Sequence, residues 1–397
     1  MERFVNFMKR HIKLVSFIII FAGYAGIFVF FHSLKFPLWN DEGRFWPTSL
    51  SFSSKLIPTL HQLKNYDELS TPLPFVVFGV LEHLFHKGIA AGRFLNFILS
   101  FAIILIIFFK EKEIGKISVL SVIGIFLFPY FTGCSIHLYT DIIAVFFAFI
   151  GVVLYLKSRF LLGCISFVLA ISSRQYMVAF PIALFICTAY EERHGLLKAW
   201  YPLFLLLISI ASLAGWIVFF GGFGPQSEVA VQGVATAKLS FLLPNNGLYF
   251  LTCIGAYYVI PELLLFRDVS FIKKLPSRKN ACIAIALFVL FIMFPPIQNI
   301  HYPHPQMGYI DRFVCLFLPD HLKPFIFYIL ALLACIRFSK INLAFWLLYS
   351  NVLLMFKAHV GWDKYALALL IVLWYLAGSK EPPNRDQTMA FQEHNLQ

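Results

Sequence analysis

Charge is what this sequence has least of. Asp, Glu, Lys and Arg make up 13% of its 397 residues, about half the share found in soluble domains, while hydrophobic residues reach 60%. A chain so composed has too few polar groups to clothe a single core in water, which excludes an ordinary soluble globule. It also lacks a cysteine pattern. Cys134, Cys164, Cys187, Cys253, Cys282, Cys315 and Cys335 are scattered, odd in number and mostly inside apolar runs, with no C-x-x-C spacing. Neither a disulfide framework nor a zinc site is indicated. There is no glycine-rich phosphate loop of the P-loop or dinucleotide type, so nothing calls for a nucleotide or another cofactor. Internal repeats are missing too, which argues against a transporter built from two similar halves.

What the chain does have is a succession of apolar runs about as long as a hydrocarbon core is thick. Backbone polar groups in lipid must bond within their own segment, so such runs, separated by short charged breaks, are expected to be helices. About twelve spans are expected, near Leu14–Leu34, Phe94–Phe109, Ile117–Phe131, Thr140–Leu156, Phe160–Ile171, Met177–Tyr190 and Trp200–Phe220, then Leu248–Phe266, Ala281–Phe294, Pro324–Ile336, Ile341–Phe356 and Tyr365–Ala377. The expected fold class is an all-α integral membrane protein forming one polytopic domain over residues 1–397. The first run follows Lys9, Arg10 and Lys13 as a signal peptide would, but it is long and lacks a small-residue cleavage site, so it reads as a retained anchor.

The formal net charge of +12 does not point to nucleic acid, because the basic residues punctuate the ends of apolar runs. Alternate breaks carry twenty of the 32 Lys and Arg, among them Lys110, Lys157, Arg193, Lys279, Arg337 and Lys340, and are expected to be cytoplasmic. Both termini then lie inside, with a polar cytoplasmic tail at 379–397. The opposite, outer side receives a long first loop, residues 35–93, in which Pro72–Phe85 is expected to lie on the surface as an amphipathic helix.

Polar outliers on that outer side are the candidate functional residues. Asp41 and Glu42 stand immediately beyond the first run. A carboxylate at the membrane edge can take a proton from an attacking hydroxyl, and Asp41 is the expected base; the plainer alternative is that the pair caps the following helix. Asp67 or Glu68, in the turn-rich stretch before Pro72, are candidates for binding hydroxyls. Asp141, with Tyr139 in the same turn, opens a span, where an acid serves either as a cap or as a substrate contact. Arg174 is a cation between two apolar runs on the side poor in cations, a costly placement that suits a phosphate-binding guanidinium. Arg93, Arg312 and Lys364 are further outer cations, and Asp311–Arg312 and Asp363–Lys364 are neighbours able to neutralise each other. His301, His304 and His359 lack a recognised ligand spacing, so no metal is expected.

Taken in order, these residues resemble a family. Trp39-Asn-Asp-Glu42, Tyr66-Asp-Glu-Leu-Ser-Thr-Pro-Leu-Pro74, Gly92-Arg-Phe-Leu-Asn96, Phe128-Pro-Tyr130 with Leu138-Tyr-Thr-Asp141, and Ser173-Arg-Gln-Tyr176 follow the order found in GT-C membrane glycosyltransferases. Within that class the chain most resembles the dolichyl-phosphate-glucose-dependent α-1,2-glucosyltransferases. The likeness covers roughly the first half; later, Ala358-His-Val-Gly-Trp-Asp-Lys-Tyr365 stands where the family has a basic residue before its last spans. The resemblance implies a GT-C-like fold and inverting transfer from a polyprenyl-phosphate sugar to a lipid-linked or other glycan acceptor, at the outer face of a bacterial inner membrane or the lumenal face of the endoplasmic reticulum. On that analogy Asp41 is the base with Glu42 as neighbour, Arg174 and Gln175 bind the donor, and Asp141 contacts the acceptor. Two other functions remain: a flippase or transporter for a lipid-linked sugar, which calls for ionisable residues near mid-span and for which Glu262, towards the inner third of its helix, is the candidate, and a noncatalytic polyprenyl-lipid-binding subunit.

Overall fold

The computed structural model describes residues 12–30, 34–110, 116–232, 242–267, 277–296 and 306–377. The described chain is all-α apart from one pair of two-residue strands. The helices are α1 (Ile12–Phe30), α2 (Glu42–Ser51), α3 (Leu60–Lys64), α4 (Leu73–Phe85), α5 (Ile89–Phe108), α6 (Lys116–Phe126), α7 (Pro129–Ile136), α8 (Thr140–Leu156), α9 (Phe160–Ser173) and α10 (Ala179–Glu191). They continue as α11 (Trp200–Phe220), α12 (Gln226–Gln232), α13 (Pro244–Ile254), α14 (Ile260–Phe266), α15 (Arg278–Met293), α16 (Tyr309–Cys315), α17 (Lys323–Arg337), α18 (Leu343–Met355) and α19 (Leu367–Ala377). β1 (Gln306–Met307) pairs in parallel with β2 (Gly361–Trp362).

A helix occupies each of the twelve apolar runs expected to form one. Among the described residues, three stretches are long and apolar enough to cross a membrane: Ile89–Phe108, Trp200–Phe220 and Pro244–Phe266. A fourth qualifies if Ile117–Phe126 and Pro129–Ile136, which meet at 73°, count as one. That bend lies inside the run expected to be a single span, Ile117–Phe131. Pro129 in the first turn of α7 lacks the N–H that would continue the ladder and disfavours a helical Phe128, which is extended. The third long stretch passes through a π-helical turn, Gly255–Val259, between α13 and α14. Outward faces carry large apolar side chains such as Phe204, Leu207, Val218, Ile285 and Ile292, surfaces suited to lipid.

Small residues let helices approach closely. A Cβ on Gly255 would lie 1.9 Å from the carbonyl oxygen of Leu330 in α17, and one on Gly151 of α8 would lie 2.6 Å from the Phe167 ring of α9. The Pro72–Phe85 segment departs from expectation. It is helical as α4, but Phe75 and Phe78 are fully buried, and a Cβ on Gly79 would meet Phe52 and Ser49 at 2.7 Å. Its apolar side is spent on protein packing, so α4 is part of the core at this end of the molecule and not a helix lying free on a surface.

The helices run between two ends. At one end Lys110, after α5, donates to the Tyr375 carbonyl of α19 at 2.5 Å, Arg337 grips Glu262 at 2.6 and 2.7 Å, and Lys279 reaches the Ser339 carbonyl. Glu262, the candidate residue for transport, is thereby held in a bidentate ion pair and also accepts from Tyr258 Oη. The opposite ends of α5, α8, α9 and α19 gather Arg93, Asp141, Arg174 and Lys364. The polar tail, Arg3, Lys9, Arg10, His301 and His304 lie outside the described residues.

Candidate active site

The site begins with a clamp. Arg93, in the first turns of α5 and completely buried, donates from Nε and a terminal nitrogen to the two Glu42 oxygens at 2.8 and 2.6 Å. The same guanidinium donates to the carbonyls of Phe36 at 2.7 Å and Pro37 at 3.1 Å. Glu42 further accepts from the backbone N–H of Trp39 at 2.9 Å and of Leu138 at 2.6 Å. Burial pushes the Glu42 carboxyl up, but the His137 ring 3.6 Å away and the hydrogen bonds from Arg93 and the two amides outweigh it and hold the pKa at about 2. Glu42 and Arg93, expected among the catalytic and substrate-binding groups, are thus committed to each other and to the backbone. They secure the loop from which Asp41 projects, in which Asn40 takes a left-handed φ of 47°.

Asp41 occupies the cap position of α2, yet its side chain caps nothing. Its Oδ2 instead accepts from Lys364 Nζ at 2.7 Å. Asp141, in the first turn of α8, likewise spends its carboxylate on tertiary partners: Arg174 at 2.9 Å and Tyr176 Oη at 3.1 Å. Arg174 terminates α9 in extended geometry, after which Gln175–Val178 forms a 3-10 turn. Burial would lower the Arg174 and Lys364 pKa values, but the surrounding carboxylates, above all Asp141, override it and push both up, so both cations are firmly charged. Tyr139 completes the cluster, with Lys364 Nζ 5.5 Å above its ring.

Lys364 is delivered by its neighbour. Asp363 is fully buried and accepts from Tyr249 Oη and Tyr257 Oη, both at 2.6 Å, and from the Ile310 N–H at 3.1 Å. Burial raises its pKa, against the lowering effect of these donors. The sequence neighbours therefore do not neutralise each other: Asp363 faces α13 and α16, while Lys364 faces Asp41. Gly308, with φ of 141°, lies so close that a Cβ there would meet the Asp363 carboxylate at 2.2 Å. Asp311 behaves the same way, pairing with Lys323 at 3.2 Å and leaving Arg312 exposed. Arg312, expected to bind substrate, is not among the residues of this network. Of the alternatives Asp67 and Glu68, Asp67 is exposed, whereas Glu68 is buried and pairs with Arg44 at 3.0 Å.

Beside these groups is a cavity of about 190 Å³. Its lining is mixed, with Arg174, Gln175, Lys357 and His359 among the polar residues and Leu213, Leu354 and Met355 among the apolar ones. Gln175 holds the rim by donating to the carbonyls of Leu69 at 2.7 Å and Phe223 at 2.9 Å. Among the described residues no group of three or more His, Cys, Asp or Glu is placed to hold a metal ion.

The arrangement joins a solvent-reachable carboxylate, a buried and a partly buried cation, and an amphiphilic cavity. A carboxylate so placed can accept a proton, and the cations can hold an anion that forms nearby. The sequence reading missed Tyr176 and Tyr365, whose rings lie 5.5 Å apart beside Arg174 and Lys364. The polar interruption between α18 and α19 was the available signal for Tyr365. No protein-family model matches the chain, and neither a curated protein nor a solved structure does.

Proposed function

We propose that the protein is an inverting glycosyltransferase that moves a sugar from a polyprenyl-phosphate donor to a lipid-linked glycan or other acceptor. In this reading the helices form a GT-C-like scaffold of about twelve spans, and the site faces the outer or lumenal side of a bacterial inner membrane or the endoplasmic reticulum. The acceptor hydroxyl attacks the anomeric carbon as the bond from that carbon to the phosphate oxygen breaks. Asp41 takes the hydroxyl proton, and the departing polyprenyl phosphate keeps the electron pair and is steadied by Arg174 and Lys364. A single displacement inverts the anomeric centre.

One observation carries this reading: the ion pairs Asp41–Lys364 and Asp141–Arg174, drawn from distant parts of the chain, lie beside a cavity lined by both cationic and apolar side chains. A lipid phosphate offers a partner to each kind, an anionic head and an apolar tail. Purified protein should be incubated with a panel of polyprenyl-phosphate sugars and candidate acceptors, and release of free polyprenyl phosphate measured. Acceptor-dependent release from one donor supports the proposal. Its absence across the panel, with folded protein, overturns it.

A further inference from the structure

Buried polar atoms in folded proteins almost always have partners, so those that lack one inside the chain mark places completed by something else. Three such atoms are Glu68 Oε1, Ser70 Oγ and Arg174 Nε; Glu68 is two residues from Ser70 and electrostatically coupled to Arg174. Glu68 is 5% exposed and Ser70 4%. Ser70 and Arg174 line the cavity.

The segment bearing Glu68 and Ser70 is tied down. Glu68 Oε2 accepts from Arg44 at 3.0 Å. Tyr66 Oη donates to the Ser70 carbonyl at 2.5 Å, Gln175 Nε2 to the Leu69 carbonyl at 2.7 Å, and Thr71 Oγ1 to the Ile171 carbonyl at 2.8 Å. Glu68, Leu69 and Thr71 are thereby tied to neighbouring elements and Ser70 to Tyr66 of its own loop, as a preorganised binding surface requires.

The chemistry of the three atoms narrows the ligand. A carboxylate oxygen only accepts, a hydroxyl donates and accepts, and a guanidinium Nε–H only donates. A bare phosphate would satisfy Arg174 but repel Glu68. A hydrocarbon would satisfy none of them. A ring bearing adjacent hydroxyls and joined to an anion satisfies all three.

We propose that Glu68 and Ser70 form a hydroxyl-reading subsite that binds the sugar ring of a sugar phosphate whose anionic group is held by Arg174. The subsite rests on the glycosyltransfer reading for its natural ligand, but it is tested by binding alone. Glu68 is the specificity-determining residue, because a hydroxyl donating to a carboxylate oxygen cannot be replaced by hydrogen or by an acceptor.

The probes are inorganic phosphate and glucose 1-phosphate, titrated calorimetrically into the full-length protein in detergent. Glucose 1-phosphate is expected to bind about tenfold tighter or more, the worth of one charge-assisted hydrogen bond. Glu68→Gln should bring that ratio close to one with phosphate affinity little changed, and Ser70→Ala should reduce it while leaving the fold undisturbed. Arg174→Met should weaken both ligands. A parent ratio near one, or a ratio that survives both Glu68→Gln and Ser70→Ala, overturns the subsite. The two failures are separable: a Glu68-dependent ratio in a protein without transferase activity leaves the subsite standing and removes the glycosyltransfer reading, whereas transfer with a ratio of one does the reverse.

Discussion

Lys364 Nζ donates to Asp41 Oδ2 across 2.7 Å, although 323 positions separate the two residues in the chain. The bond closes the molecule on itself: the loop after the first helix meets the turn before the last. Lys364 also lies within 3.6 Å of the Trp362 ring centre, so its ammonium is steered from two directions. This pairing is the part of the site whose chemistry is most directly open to mutation.

Asp41→Asn keeps the shape and the acceptor oxygen but removes the base. Transfer should fall by about 10²–10⁴-fold in kcat, the usual worth of a positioned general base. Glucose 1-phosphate binding should persist, because the phosphate-holding cations remain. Steady-state release of polyprenyl phosphate together with the calorimetric titration checks both halves; unimpaired turnover would remove Asp41 from the mechanism.

Arg93→Met should act on stability before chemistry. It leaves Glu42 wholly buried without its bidentate partner, and breaking a buried pair on one side costs about 3–5 kcal/mol. The double variant Glu42→Met with Arg93→Met should recover much of that loss. Thermal unfolding in detergent measures it, and a single variant as stable as the parent would show that the clamp is dispensable.

Acid should loosen the same clamp. The Glu42 pKa is depressed from 4.5 to about 2, so its contribution is fully present above pH 4.5 and is lost as the pH falls toward 2. A shift of that size corresponds to about 3 kcal/mol. Glu42→Gln should be less stable at neutral pH and should lack this part of the acid dependence. Unfolding midpoints between pH 6 and pH 3 follow the effect.

How much of this was legible follows from how each feature is written in the chain. Helix positions were readable because an apolar run in lipid has a single economical conformation, and Thr140–Leu156 and Trp200–Phe220 match their expected limits. Asp41, Asp141, Arg174 and Lys364 were readable because a charge beside an apolar run is conspicuous. What such conspicuousness could not tell was direction. Asp41 and Glu42 are adjacent, yet one turns to the site and the other into the protein. Asp67 and Glu68 divide likewise, in an irregular turn with no periodicity to assign faces. Asp311 passes over its neighbour Arg312 for Lys323, a choice made by tertiary packing alone.

Gly255→Ala should be destabilising even though alanine favours helix. Its methyl group would press on the Leu330 carbonyl, a backbone atom that cannot turn aside, at a cost of about 1–3 kcal/mol. Gly215→Ala, where a Cβ meets nothing within 4 Å, is the matched control. A melting temperature unchanged in both variants would mean that α13 and α17 can slide apart freely.

The π-helical turn at Gly255–Val259 holds one surplus residue in an otherwise regular stretch, and its consequence lies in the two tyrosines it contains. Tyr257 serves Asp363, while Tyr258, the next residue, serves Glu262 and through it Arg337. Two consecutive hydroxyls therefore serve two separate buried acids. Trimming a single residue here would put one half of that stretch out of phase with the other, so that no single rotation of the helix could seat both hydroxyls again.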